Sequence, residues 1–184
     1  MDHGAHSPGP HTPCVHTYVI ALGSNRRHPA HGPPRAVLVA ALAALGHEGL
    51  HLLGASRPVD SRPLGPSLRT YANSAALIGS ALEPEAMLAR LKAIEARFGR
   101  RRGGQRWSAR VLDLDIVLWN GGAWASPRLV IPHPAYRLRA FVLAPMRRLG
   151  HRHGAITRDP LTGLTPAHLH ARLTRPRPLP KPRP

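Results

Sequence analysis

The sequence predicts an α+β fold: a ferredoxin-like sandwich, with an antiparallel four-stranded sheet core and helices packed on one face of it. Three observations carry this expectation. Short apolar runs alternate with Ala/Leu-rich stretches in the order β-α-β-β-α-β. The clearest helix, 84–98, has Pro84 at its first turn, Gly99 at its stop, and an apolar stripe of Met87, Leu88, Leu91, Ile94 and Phe98. The run from Val111 to Leu118 has strand periodicity, with Leu112, Leu114, Ile116 and Leu118 on one face and Asp113 and Asp115 on the other.

Taken in order, residues 1–16 mix His, Pro, Gly and Ser and form a disordered leader. Residues 18–22 are a buried strand stopped by Gly23-Ser24-Asn25, and 34–45 a helix ending at Gly46. A second strand covers 50–56. Residues 57–69 contain Pro58, Pro63, Gly65 and Pro66 and form a loop long enough to suggest a function. A third strand spans 70–78 and precedes the 84–98 helix. A second long loop, 99–110, leads into the fourth strand, 111–119. One domain thus occupies 17–171, with its core at 17–149 and a weakly determined coda over 150–171. Residues 172–184, RLTRPRPLPKPRP, form an extended, disordered Arg/Pro-rich tail.

Composition excludes several function classes. A chain of 184 residues that is 42% hydrophobic makes one packed domain of ordinary size. No apolar run approaches the roughly 18 residues of a membrane span. The N-terminus has no apolar block resembling a secretory signal. A single cysteine, Cys14, makes no intrachain disulfide and suits a reducing, cytoplasmic setting. The charge is lopsided, with 26 basic residues against 9 acidic and a net +17; only Lys92 and Lys181 are lysines. Such a field attracts nucleic acid, anionic lipid or a substrate carrying several phosphates, and makes each remaining acid worth explaining.

Asp113 and Asp115 lie on one strand face with Cα atoms about 6.5–7 Å apart. Unpaired, they would repel by roughly 2–3 kcal/mol at an effective dielectric of 20 and by far less in open water. Either they decorate a solvent-facing strand, or hard divalent cations bridge them and flank a phosphoryl group. Glu95 falls on or beside the buried stripe of its helix and needs a partner there, as a structural salt bridge to an arginine or as an acceptor in an active-site network. The 99–110 loop carries five arginines, Trp107 and three glycines. Basic loops with an aromatic also describe nucleic-acid binders, but this one runs into the acidic strand, where arginines would grip a polyphosphate. No P-loop signature is present. His133, between Pro132 and Pro134, is either a rigid site residue or an ordinary loop histidine. His28, His31, His47, His51, His151 and His153 fit no clean metal spacing.

Together, Ala21-Leu22-Gly23-Ser24-Asn25, Pro63-Leu64-Gly65-Pro66, Tyr71-x-Asn73, Ile94-Glu95, Gly99-Arg100, Arg106-Trp107-x-x-Arg110-Val111-Leu112-Asp113-Leu114-Asp115-Ile116, Pro132-His133-Pro134 and Arg139-x-Phe141-Val142-Leu143 resemble, in order and near-spacing over 17–149, the 6-hydroxymethyl-7,8-dihydropterin pyrophosphokinase family of the folate pathway. The resemblance implies an ATP-dependent diphosphotransferase that moves pyrophosphate from ATP to the pterin hydroxymethyl group and releases AMP. It implies two Mg2+ ions on Asp113 and Asp115, with Arg100 and Arg110 joining them as catalytic residues. Lys92, Arg102, Arg106, Ile116, His133 and Arg139 would contact ATP. Ser61, Leu64, Tyr71, Asn73, Glu95, Trp107 and Phe141 would form the pterin site, Tyr71 and Phe141 sandwiching the ring. The implied partners are ATP and reduced pterin, with no membrane, for a chain acting as a monomer. The chain departs from the family's usual pattern at Pro58, at Ser61 for Thr, at Lys92 for Gln, and at Ser108-Ala109 for Gly-Pro. The competing expectation is a catalytically weakened relative that binds nucleic acid through the basic loop and tail.

Overall fold

A computed structural model describes residues 16–47, 49–61, 70–99, 111–150 and 158–175. The first strand, β1 (His16–Ser24), turns Tyr18, Ile20 and Leu22 to one side and Val19 to the other, and all four are buried. Helix α1 (Pro34–Ala44) follows, then β2 (Leu50–Ala55), β3 (Val59–Ser61) and β4 (Tyr71–Ser80). Helix α2 (Pro84–Arg97) leads to β5 (Asp113–Trp119), a small hairpin of β6 (Trp124–Ala125) and β7 (Val130–Ile131), and a 3-10 turn at Tyr136–Leu138. Helices α3 (Ala140–Gly150) and α4 (Pro166–Thr174) close the chain's described part. The main sheet is antiparallel in the order β2-β4-β1-β5, with β3 also paired to β4.

The fold is α+β, with helices on both faces of the sheet rather than on one. Val37, Leu38, Ala41 and Leu45 join Met87, Leu91, Ile94 and Phe98 against Tyr18, Ile20, Leu22, Leu114 and Ile116. On the other face Val142, Leu143, Met146 and Leu149 of α3 and Leu169 of α4 pack on Val19, Ala75, Leu77, Val117 and Leu118. Two-sided cover explains β4, which is buried from Ala72 to Ser80 and shows no polar alternation.

Other expectations also need correction. Part of the predicted 57–69 loop is β3, so the sheet has five strands rather than four. Leu118 does not share the face of Leu114 and Ile116. A bulge opposite Val19 and Ile20 gives β5 an extra residue at Val117, and beyond it the alternation inverts, so Leu118 joins the α3 side. Helix α4 falls within the predicted coda and runs to Thr174, past the predicted start of the tail at Arg172. Strand β1 begins at His16, at the end of the predicted leader. Residues 1–15 and 176–184 lie outside the described residues. Gly99 stands at φ +82 just past α2, the left-handed position that a helix-stopping glycine adopts.

Candidate active site

The α3 face of the sheet, at the end away from the Val19 core, gathers most of the described candidate residues. Leu114 and Ile116 turn into the α1/α2 core, while Asp113 and Asp115 turn the other way and remain partly open to solvent. Across the sheet, Gly23 pairs with Asp113 on one side and with Asn73 on the other, and Ala21 sits between Asp115 and Ala75. The central strand therefore offers a hydrogen and a methyl group where its neighbours carry carboxylates and an amide. The result is a shallow floor between acidic and neutral polar walls.

Burial and the neighbouring Asp113 charge push the Asp115 carboxyl above its ordinary range, while Lys92, His133 and Arg139 pull it back. His133 is held on this side of β5 by its backbone N–H, which donates to Val117 O at 3.0 Å. Burial pushes its imidazole below the ordinary histidine value, Asp115 opposes that shift, and Arg139 adds to it. Its Nδ1 accepts the Ala135 N–H at 3.2 Å, which leaves the proton of the neutral ring on Nε2. A neutral His133 is thus a hydrogen-bond donor beside the carboxylate pair. Arg139 begins the α3 segment, its carbonyl accepting from Val142 and Leu143, and its guanidinium lies 5.9 Å from the Phe141 ring.

Helix α2 braces the same strand at its open edge. Strand β5 ends the sheet, so its outward backbone groups need partners. The Leu114 N–H donates to Glu95 Oε1 at 2.7 Å, and Lys92 Nζ donates to Leu114 O at 3.3 Å and to Glu95 Oε1 at 2.9 Å. Glu95 is fully buried. Lys92 and the Leu114 amide are thus two of its partners, and a charged and a backbone donor together satisfy a carboxylate that could not otherwise stay buried. The contact places α2 directly behind the Asp113–Asp115 segment. Ile116 is buried with its side chain in the α1/α2 core, so any contact it makes with a ligand runs through its backbone.

On the opposite wall, Asn73 Nδ2 donates to Ser61 Oγ at 2.8 Å, and Ser61 pairs with Tyr71 across β3 and β4. Asn73 is buried, and Tyr71, two residues earlier on β4, occupies the same sheet face. Phe141 is partly buried at the start of α3, over that face. The structure thus collects Asp113, Asp115, Lys92, His133 and Arg139 at one end of the floor, and Asn73, Ser61 and Tyr71 at the other. Leu64, Arg100, Arg102, Arg106, Trp107 and Arg110 lie outside the described residues. Sequence reasoning missed Gly23 and Ala21 as the floor. The signal was present, since the strand turns from Val19 to small residues just before the Gly23-Ser24-Asn25 stop.

Residues 19–151 match the family model described as 7,8-dihydro-6-hydroxymethylpterin-pyrophosphokinase. Curated relatives agree. The 2-amino-4-hydroxy-6-hydroxymethyldihydropteridine pyrophosphokinase of Haemophilus influenzae is 39% identical over 132 residues, 71% of this chain and 79% of the relative. The enzyme of the same name from Pseudomonas aeruginosa is 39% identical over 132 residues, 71% and 78% of the two chains. That from Synechocystis is 35% identical over 135 residues, covering 73% of this chain and 66% of the relative.

Proposed function

The chain belongs to the 7,8-dihydro-6-hydroxymethylpterin-pyrophosphokinase family, and from that premise we propose that it transfers pyrophosphate from ATP to the hydroxymethyl group of 6-hydroxymethyl-7,8-dihydropterin in folate biosynthesis. The observation that carries this activity is the Asp113–Asp115 pair on one strand face, with His133, Arg139 and Lys92 around Asp115. The hydroxymethyl oxygen attacks the β-phosphorus, a new P–O bond forms, and the bond from that phosphorus to the α,β-bridging oxygen breaks. AMP leaves with the bridging oxygen, and the hydroxyl proton is released to solvent. Positioning and charge neutralisation supply most of the rate in such a transfer.

The residues suit a hard divalent cation. Two carboxylates share a face, and burial together with the Asp113 charge disfavours the ionised state of Asp115, which a bound cation would relieve. Among the described residues no cluster of three or more His, Cys, Asp or Glu side chains is found, and the fit to a hard cation rests on the carboxylate pair. Asp113 and Asp115 would hold two Mg2+ ions, which when bound neutralise triphosphate charge. His133 Nε2–H and the Arg139 guanidinium donate to phosphate oxygens, and Lys92 adds positive charge from the α2 side. Arg100, Arg102, Arg106 and Arg110 join them from the 100–110 segment, where Trp107 helps to exclude water. Asn73 and Ser61 read the pterin's polar edge, Tyr71 and Phe141 stack on its ring, and Leu64 and Glu95 complete the surroundings.

The β2-β4-β1-β5 order, with α1 and α2 on one face, supports a ferredoxin-like core to which α3 and α4 add a third layer. No helix among the described residues is long and apolar enough to cross a membrane. A cytoplasmic monomer acting on small molecules fits these features. The test is direct: incubate the protein with ATP, magnesium and the reduced pterin and measure AMP. AMP formation that requires the pterin and disappears in Asp115→Ala supports the activity. A wild-type protein that yields no AMP but binds oligonucleotides in a salt-sensitive way overturns it.

A further inference from the structure

Asp159 is one of only nine acids in the chain, lies beyond the residues matched by the family model, and is 1% exposed. It accepts five hydrogen bonds. Oδ1 takes the Leu161 N–H at 2.8 Å, the Thr162 N–H at 3.1 Å and Arg137 Nη2 at 2.9 Å; Oδ2 takes the Tyr136 hydroxyl and Arg137 Nε. The two backbone donors belong to its own turn, which is closed by Gly163 N–H on Asp159 O at 2.8 Å and Asp159 N–H on Leu164 O at 2.9 Å. The other three reach back to the 3-10 turn at Tyr136–Leu138. Tyr136 is itself buried in the α3/α4 core.

That 3-10 turn spans the distance between two site residues. The Tyr136 N–H donates to His133 O at 3.1 Å, and the Arg139 N–H donates to Tyr136 O at 3.2 Å. Both His133 and Arg139 act on the Asp115 carboxylate. Tyr136 is thus the midpoint of a short covalent and hydrogen-bonded bridge from the imidazole to the guanidinium, and Asp159 grips it at the hydroxyl while a two-pronged bond to Arg137 fixes the next residue.

We propose that Asp159 is a positioning residue for the pyrophosphoryl transfer: acting through Tyr136 and Arg137, it sets where His133 and Arg139 meet the triphosphate. The inference rests on the activity proposed above. It assigns a catalytic consequence to a segment outside the matched family region, which packs against the core chiefly through Leu164 and Leu169. Placement to within an ångström is what such a transfer depends on, and a small displacement of donors costs about 10- to 100-fold in rate.

Asp159→Asn weakens the Oδ2 side of the network. Its amide oxygen still accepts the Leu161 and Thr162 N–H groups and Arg137 Nη2, while its NH2 meets the Arg137 Nε–H donor against donor and denies the Tyr136 hydroxyl its charged acceptor. Tyr136→Phe cuts the link from the other side without touching the Asp159 turn. Two measurements decide the matter: steady-state kinetics, and amide hydrogen exchange at Tyr136 and Arg139. The expected result is a kcat lower by about 10-fold or more in Asp159→Asn, with the pterin KM within about two-fold of wild type, accompanied by faster exchange at the two amides. Tyr136→Phe should shift kcat in the same direction, and the double variant should lose less than the product of the two. A folded Asp159→Asn protein with wild-type kcat, or with unchanged exchange at both amides, overturns the proposal, whatever its melting temperature. Wild-type protein that makes no AMP would refute the activity instead, and the exchange measurement would still decide whether Asp159 holds the bridge.

Discussion

The backbone N–H of Leu114 donates to the carboxylate of Glu95 at 2.7 Å, so the fully buried acid of α2 is fastened to the residue between the two site aspartates. Hydrogen bonds to a buried charged group contribute about 1.5–3 kcal/mol, and removing one partner of a buried ion pair costs about 3–5 kcal/mol. Glu95→Ala should therefore destabilise the protein by about 3 kcal/mol, because the Leu114 amide and Lys92 both lose their acceptor. At about 2–4 °C per kcal/mol for a chain of this size, thermal unfolding should show a drop of roughly 6–12 °C. Glu95→Gln keeps an oxygen for the Leu114 N–H and should lose about half as much. An unchanged melting temperature in Glu95→Ala would mean that the edge of β5 needs no such brace.

Burial and the Asp113 charge oppose the ionisation of Asp115, so the arrangement that suits a cation carries a cost at Asp115 without one. Asp113→Asn should raise the stability of the metal-free protein, by about 1 kcal/mol at a partly solvated site. The same substitution should lower the rate of AMP formation by at least about 100-fold, one of two anchoring carboxylates being gone. Calorimetry with and without magnesium and an ATP analogue checks both halves. Ligand should stabilise the wild type more than the variant, reversing their order. If Asp113→Asn is less stable than wild type in the absence of metal, the carboxylates are not strained against one another.

Asp159 carries the clearest pH dependence. Burial pushes its carboxyl up, but the Arg137 and Tyr136 hydrogen bonds, with the Leu161 N–H, outweigh that and hold it well below the ordinary carboxylate range. A depressed folded value means stability that is fully present above the unfolded carboxylate value, near pH 4, and is lost as the pH falls toward the folded one. Urea unfolding of wild type and Asp159→Asn should accordingly diverge most at neutral pH and converge below about pH 4. A gap that stays constant down to pH 2 would show that the charge on Asp159 contributes nothing to folding.

The C-terminal boundary can be tested by truncation. Helix α4 ends at Thr174, and its Leu169 is buried against α3. Removing residues 176–184 should leave the melting temperature and AMP formation within about two-fold of wild type. Leu169→Ala should cost about 2 kcal/mol, the low end for a large-to-small change at a small cluster. A collapse in rate on removing 176–184 would place the Arg/Pro segment in the active site.

Apart from β3, which hides in the Pro-rich 57–69 stretch, the strand and helix order from β1 to β5 is legible in the sequence because each element carries its own periodicity and stop signal. Pro84 and Gly99 bracket α2 as expected, and the alternation around Asp113 and Asp115 is enough by itself to put both carboxylates on one face. What stays hidden depends on tertiary partners. Pro145 stands inside α3, where a proline ordinarily argues against a helix, so the second helical layer has no clear local signal. The two-sided burial of β4 does leave a trace, in the absence of polar alternation from Ala72 to Ser80. The bulge at Val117 leaves none, since an extra residue in an apolar run changes the facing of Leu118 without changing the composition. Lys92 and Glu95 can be placed on α2, but that they grip Leu114 depends on how α2 docks at the open edge of the sheet. Likewise nothing local connects Asp159 to Tyr136, 23 residues earlier.

Gly23 offers a way to separate the site from the fold. A Cβ built there would sit 3.9 Å from Asn73 Oδ1, an ordinary contact, and the residue does not adopt a left-handed backbone. Alanine is therefore accommodated, and by restricting the unfolded chain it should stabilise by about 0.4–1 kcal/mol. Yet its methyl group would rise from the floor between Asp113 and Asn73, where the pterin is proposed to lie. Gly23→Ala should melt at or above the wild-type temperature while its pterin KM rises by about 10-fold and its KM for ATP changes little. Gly23→Val, with two more methyl groups in the same space, should abolish turnover and remain folded. If Gly23→Val turns over like wild type, the substrate does not cross the floor at β1. The sheet face between Asp113 and Asn73 would then be structural, and the pterin would have to be sought elsewhere.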